Sequence, residues 1–202
     1  MIIITHRINT VRELSLIDLN YGIEIDLRSQ NLEIIISHDP YTTDSILLSE
    51  WIKFYRHRML VLNIKEEGIE QQVFEIINKA NIKNFFFLDQ SFPFIVKTLA
   101  AGERRTAIRV SDYESVNTLK KVSQLSLLTP NWVWIDSFTG NWDHLACIKE
   151  IKSMGYKVCI ASPELHRRNL ELELELIARL VDVSQIDAVC TKYPDKWIPL
   201  NV

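Results

Sequence analysis

Residues 21–40 read YGIEIDLRSQNLEIIISHDP, placing Glu24, Asp26 and Arg28 at every second position of an apolar run. A second apolar run then ends on His38 and Asp39. Alternate residues of a strand share one face, so the three charged side chains point the same way. Two carboxylates side by side repel unless a cation or a shared proton relieves them. Their oxygens are hard ligands, suited to Mg2+ or Ca2+. A half-exposed strand can also carry such residues, but two adjacent apolar strands favour a site over a solvated face.

Other reactive side chains also stand at the ends of apolar runs. His6 and Arg7 follow IIIT, Asn63 and Lys65 lie in MLVLNIK, and Asp89, Arg109, Asp136 and Lys192 close or sit in later runs. His6 and His38 can exchange protons near neutral pH, one as base and one as acid. Arg7 and Lys65 can hold phosphate oxygens and stabilise charge that develops on them. Asn63 reads equally as a metal ligand or a remnant. Asp89, Arg109, Asp136 and Lys192 read either as the rim of a site or as a polar layer. His57, His144 and His166 fall in helix or loop contexts and are expected on the surface. Trp132 and Trp134 are expected in the core, with Trp142 open to either core or pocket.

These residues meet only if the fold gathers strand ends. Strands are expected at 2–5, 22–28, 32–37, 59–65, 84–89, 105–111, 132–138, 156–162 and 187–192. Residues 22–28 and 32–37 pair as a hairpin across Ser29, Gln30 and Asn31. Helices fit near 10–19, 44–56 (capped by Asp44 or Ser45), 69–81, 91–101, 114–125, 143–154 and 169–182. The segment NLELELELIARL alternates as a strand would, yet Leu170, Leu174, Ile177 and Val181 also share a helical face. Leu, Glu and Ala favour helix, and a crossover is needed there to keep the next strand parallel. From residue 59 onward strands start about every 25 residues, the rhythm of βα units. Eight main strands plus one hairpin arm indicate an α/β fold, a compact (β/α)8 TIM barrel formed as one domain over residues 1–202. Its last helix would be missing or replaced by KWIPLNV. An open doubly wound sheet is the second choice, but no glycine-rich phosphate loop follows an early strand.

The whole chain fits that picture. Its 202 residues are 47% hydrophobic and 24% charged, an ordinary globular composition for a length that suits one small barrel. A net charge of −3 argues against a nucleic-acid partner. Cys147, Cys159 and Cys190 follow no metal-ligand spacing and are expected to be free thiols. The opening MIIITHR reads as a first strand and not a signal peptide. No apolar run is long enough for a membrane span, so the expected compartment is the cytoplasm.

The ordered set THRINT, GIEIDLRSQNLEIIISHDP, LNIK and CTKYPD resembles the glycerophosphodiester phosphodiesterase family across essentially the whole chain. That family carries His-Arg-Gly, Glu-x-Asp, His-Asp-Pro, Glu-x-Lys and a terminal Thr-Asp-x-Pro. The resemblance implies a metal-dependent (β/α)8 phosphodiesterase acting on a small-molecule diester. His6 and His38 would be the acid/base pair, Glu24, Asp26 and Asn63 the ligands of Mg2+ or Ca2+, and Arg7 and Lys65 the phosphate contacts. Three departures stand out. Asn63 replaces a carboxylate, Ile8 replaces the glycine after His-Arg, and Lys192 stands where the family has aspartate. Only 24 residues separate His38 from Asn63, too few for the insertion that overhangs the family's site. Two other outcomes stay open: a phosphate- or sugar-phosphate-binding barrel that has lost turnover, and a lyase that forms a cyclic phosphate. The sequence does not determine the oligomeric state.

Overall fold

The computed structural model describes residues 1–125 and 128–198. Its strands are β1 (Ile2–Thr5), β2 (Gly22–Gln30), β3 (Glu33–Ile36), β4 (Ile46–Leu47), β5 (Met59–Ile64), β6 (Phe85–Leu88), β7 (Ala107–Val110), β8 (Trp132–Ile135), β9 (Lys157–Ala161) and β10 (Ala188–Thr191). Parallel ladders join β6, β5, β2, β1, β10, β9, β8 and β7 in that order. One parallel bridge, Phe87 to Thr106, links β6 back to β7 and completes the circle. The expected eight-stranded barrel is therefore present, with β6–β7 as its weakest seam.

Period-two alternation sorts each strand between two environments. Ile4, Val61, Phe86, Trp132, Cys159 and Cys190 fill the barrel's inside. Their neighbours Ile23, Ile25, Leu60 and Leu62 face outward, against Val73 and Ile77 of the helix Glu70–Lys79. Full burial of such an apolar side chain contributes about 1.5–3 kcal/mol, so the alternation fixes the register of every strand. Gly22 opens β2 because a Cβ there would lie 2.8 Å from Ile4 Cγ1 and 3.2 Å from the Met59 carbonyl oxygen. All three cysteines are free, Cys159 and Cys190 being buried.

The helices are α1 (Val11–Leu14), α2 (Leu48–Trp51), α3 (Glu70–Lys79), α4 (Phe92–Ala100), α5 (Asn117–Leu125), α6 (Ile148–Ser153), α7 (Leu170–Leu180) and α8 (Pro194–Trp197). The ambiguous Leu/Glu segment is helical, begun by the Asn169 side chain accepting from the Leu172 N–H. None of the described helices is long and apolar enough to cross a membrane.

Several boundaries differ from expectation. The first helix is one turn, started by a Thr10–Glu13 capping box. It does not reach residue 19: past Ser15 the backbone tightens to i→i−3 bonds, Leu16 to Glu13 and Ile17 to Leu14, and the Asp18 side chain then accepts from the Asn20 N–H in a further turn. Neither Asp44 nor Ser45 caps α2. Ile46 and Leu47 pair with β3 as β4, and Leu47 is the uncapped entry to the helix. The hairpin is tighter than expected: Ser29 and Gln30 still pair with β3, leaving Asn31 and Leu32, both at positive φ, as a two-residue turn. The reduced last helix is α8, and Pro199 to Val202 of the KWIPLNV tail lie outside the described residues.

Candidate active site

The end of β1 turns sharply into the mouth. Arg7 takes a left-handed backbone (φ 55°), which aims its N–H at Glu24 Oε2, 2.6 Å away. Asn9 then clasps Asp26, its Nδ2 donating to Oδ2 (2.9 Å) while its Oδ1 accepts from the Asp26 N–H (3.1 Å). Glu24 and Asp26 are completely buried, as two inward positions of one strand must be here. From β5, Asn63 Nδ2 donates to Glu24 Oε1 at 2.8 Å. Lys65 Nζ sits 3.4 Å from Asp26 Oδ1 and 3.5 Å from Asp89 Oδ2, and Arg7 Nε lies 3.4 Å from Asp26 Oδ2.

Burial, reinforced by the neighbouring Asp26, pushes the Glu24 carboxyl up to about 7. His6 Nε2 lies 3.9 Å from Glu24 Oε2, yet burial and the Arg7 cation push its imidazole down to about 4. His6 is therefore neutral at physiological pH and available as a base. His38 is more open, with 39% of its side chain exposed and Nδ1 2.7 Å from Asp39 Oδ1. Its main chain is held from β2, where Arg28 Nε donates to the His38 carbonyl at 3.0 Å.

One cavity of about 380 Å³ is lined by His6, Arg7, Glu24, His38, Asn63 and Lys65, so the structure brings those six expected residues together. Asp26 lies directly beneath, bonded to Arg7 and Lys65. A larger cavity of about 580 Å³ opens beside it at the β6–β7 seam and shares Asp89 and Arg109, but it holds none of the histidines.

The opposite wall corrects one sequence expectation. His166 is not a surface residue: it lines the same mouth, its Nε2 2.6 Å from Asp136 Oδ1. Asp136 also receives Arg109 (3.2 Å) and Trp134 Nε1 (3.3 Å), and Arg109 bridges on to Asp89. Burial alone would raise the Asp136 carboxyl, but the His166 and Arg109 contacts hold it below its usual value. His57 is likewise buried, outside the mouth, with Nε2 3.1 Å from the Ile17 carbonyl oxygen. The rule that found His6 and His38 at strand ends does not reach His166, which lies five residues past the end of β9 at the close of the turn Pro163–His166. Trp132 stacks on Phe86 inside the barrel, and buried Trp142 donates to Glu173.

Among the described residues no cluster of three His, Cys, Asp or Glu side chains is arranged to hold a metal. The donors nevertheless fit a hard cation. Asp26 Oδ1 and Asn63 Oδ1 are buried acceptors that receive no hydrogen bond. With Glu24 they make an all-oxygen set of two charges, provided Asn63 turns its amide oxygen inward.

No protein-family model and no curated protein matches the sequence. Solved structures do match its fold. A protein of Galdieria sulphuraria assigned as a glycerophosphodiester phosphodiesterase superposes with a TM-score of 0.74 at 17% identity, over 100% of this chain and 98% of that one. The glycerophosphodiester phosphodiesterase of Agrobacterium tumefaciens gives 0.68 at 13%, covering 96% and 97%. The glycerophosphoryl diester phosphodiesterase of Parabacteroides distasonis gives 0.69 at 13%, covering 98% and 85%. At such identities the shared property is the barrel.

Proposed function

We propose that this barrel is a phosphoric diester hydrolase acting on a glycerophosphodiester or a related small diester. The observation that supports it is one cavity joining two histidines, Arg7, Lys65 and a buried carboxylate, on a fold shared with such enzymes. Arg7 and Lys65 grip the non-bridging phosphate oxygens and offset the charge that grows on them. His6, kept neutral, accepts a proton from the attacking water or a neighbouring substrate hydroxyl. His38, braced by Asp39, returns a proton to the departing alcohol oxygen. Glu24, Asp26 and Asn63 would hold Mg2+ or Ca2+, which when bound supplies Lewis-acid polarisation of the phosphoryl group. Purified protein is to be assayed on glycerophosphodiesters and bis-p-nitrophenyl phosphate with Mg2+, Ca2+ or Mn2+. Turnover that His6→Ala and His38→Ala both leave intact would overturn the assignment.

The Asn63–Glu24 hydrogen bond favours a second reading. An amide has replaced a charge and satisfies the site internally, as in a barrel that binds phosphate esters without cleaving them. Calorimetric binding of glycerol phosphates without turnover under any metal would select it. A lyase would differ only in product, and phosphorus NMR would reveal its cyclic phosphate.

A further inference from the structure

Two basic side chains of the mouth have no part in the chemistry above. Arg167 and Lys192 line the same cavity as Arg7 and Lys65. Lys65 and Arg109 have carboxylate partners there, and Arg7 lies beside Asp26. Among the described residues Arg167 and Lys192 pair with no carboxylate.

The backbone that carries them is fixed by a buried carboxylate the reaction does not use. Glu164, 8% exposed, lies in the 3-10 turn Pro163–His166 that follows β9. Its Oε1 accepts from the Lys192 N–H (2.8 Å) and from Thr191 Oγ1 (2.6 Å). Its Oε2 accepts from Ser162 Oγ, which in turn accepts from Trp197 Nε1 at 2.9 Å. Arg167 closes the same turn in a left-handed conformation (φ 62°), its N–H bonded to the Glu164 carbonyl. One carboxylate thus locks the turn bearing Arg167 to the strand end bearing Lys192. Its oxygens are taken up by these donors, and it forms no ion pair with either cation.

We propose that Arg167 and Lys192 form a second anion subsite, so that the preferred substrate is a phosphodiester with a further phosphate or carboxylate on one alcohol arm. The inference rests on the phosphodiesterase reading for the diester and on the two unpaired cations for the second anion. Arg7 and Lys65 hold the reacting phosphate on one side of the mouth. Arg167 and Lys192 face it from the β9–β10 side and hold the arm's terminal charge. A neutral arm would leave both cations unanswered, whereas an anionic arm gains charge-assisted hydrogen bonds.

The test compares three diesters of glycerol: glycerophosphoglycerol, its terminal phosphate monoester, and the diester with glyceric acid. Wild type should favour at least one anionic diester over the neutral one by about tenfold in kcat/KM, and less so as salt is raised. The arm that gains more distinguishes phosphate from carboxylate. Arg167→Ala should collapse that ratio and Arg167→Lys should retain part of it. Arg167 is the cleaner probe because the Lys192 charge also acts on His6. No preference in wild type, or a preference that Arg167→Ala preserves, would overturn the subsite. If wild type turns over no diester, the phosphodiesterase reading fails, and calorimetry decides the subsite separately. Glycerol 1,3-bisphosphate should then bind about tenfold more tightly than glycerol 1-phosphate, a gain lost in Arg167→Ala. Equal binding of the two would overturn the subsite by that route.

Discussion

The two walls of the mouth treat their carboxylates in opposite ways. On the β6–β8 wall, Asp136 has His166, Arg109 and Trp134, and Asp89 has Arg109 and Lys65. On the β1–β2–β5 wall, Glu24 and Asp26 are more deeply buried; Arg7 and Lys65 lie 3.4 Å from Asp26, Glu24 pairs with neither side chain, and Asp26 Oδ1 and Asn63 Oδ1 accept no hydrogen bond. The pKa directions follow: Asp136 falls below its usual value, while Glu24 rises to about 7 and His6 drops to about 4. Buried polar groups left unsatisfied are costly, and a fold keeps them where a ligand completes them. Under the proposed function, the wall of Asp136 is scaffold and the wall of Glu24 is where a ligand acts.

Breaking the Asp136 wall should have the largest effect. Asp136→Ala removes one of the carboxylate partners of the half-buried Arg109 and strands the His166 and Trp134 donors, and should cost about 1–3 kcal/mol of stability. Chemical denaturation of variant and wild type measures this, and a loss under about 1 kcal/mol would mean the network is not stabilising.

Adding charge to the Glu24 wall sharpens the contrast. Asn63→Glu sets a third carboxylate against Glu24, in the place of an amide that now donates to it. The melting temperature in chelator should fall, and the metal-induced rise should exceed that of wild type. Metal affinity should increase by about tenfold, since 1.4 kcal/mol suffices. Equal melting shifts in the two proteins would remove position 63 from the ion's surroundings.

A subtler effect is the pH dependence of stability without metal. Glu24 is raised from 4.5 to about 7, so its contribution is fully present below pH 4.5 and is lost as pH rises towards 7. His6 is lowered from 6.5 to about 4, so its contribution is present above pH 6.5 and is lost as pH falls towards 4. Between pH 4.5 and 6.5 the two trends oppose each other. Glu24→Gln should therefore make the melting temperature rise with pH across that window, relative to wild type. His6→Ala should make it fall, and slopes of one sign in both variants would refute the opposed shifts.

Much of the fold was legible because period-two alternation is demanded by an inner and an outer core on every strand. Glu24 and Asp26 announced themselves as charges at positions where their neighbours, Ile23 and Ile25, had to be buried. Less local features were not legible. The α1 stop depends on tight i→i−3 bonds at Leu16 and Ile17, and β4 exists only because β3 offers a free edge to Ile46 and Leu47. The β6–β7 seam depends on how far two strands separate, which no single run encodes. His166 was missed because its importance lies in Asp136, 30 residues away on another strand.

The central claim is that chemistry belongs to the wall with His6 and scaffolding to the wall with His166. It is tested most directly by measuring kcat on a glycerophosphodiester and melting temperature at pH 7.5 for His6→Ala and His166→Ala together. His6→Ala should lower kcat by about a hundredfold or more, the usual loss of a general base, in protein that remains fully folded at the assay temperature. His166→Ala should keep kcat within about threefold and lose about 1–2 kcal/mol of stability, a few degrees for a chain of this size. The reverse pattern, with turnover lost in His166→Ala and retained in His6→Ala, would contradict the account.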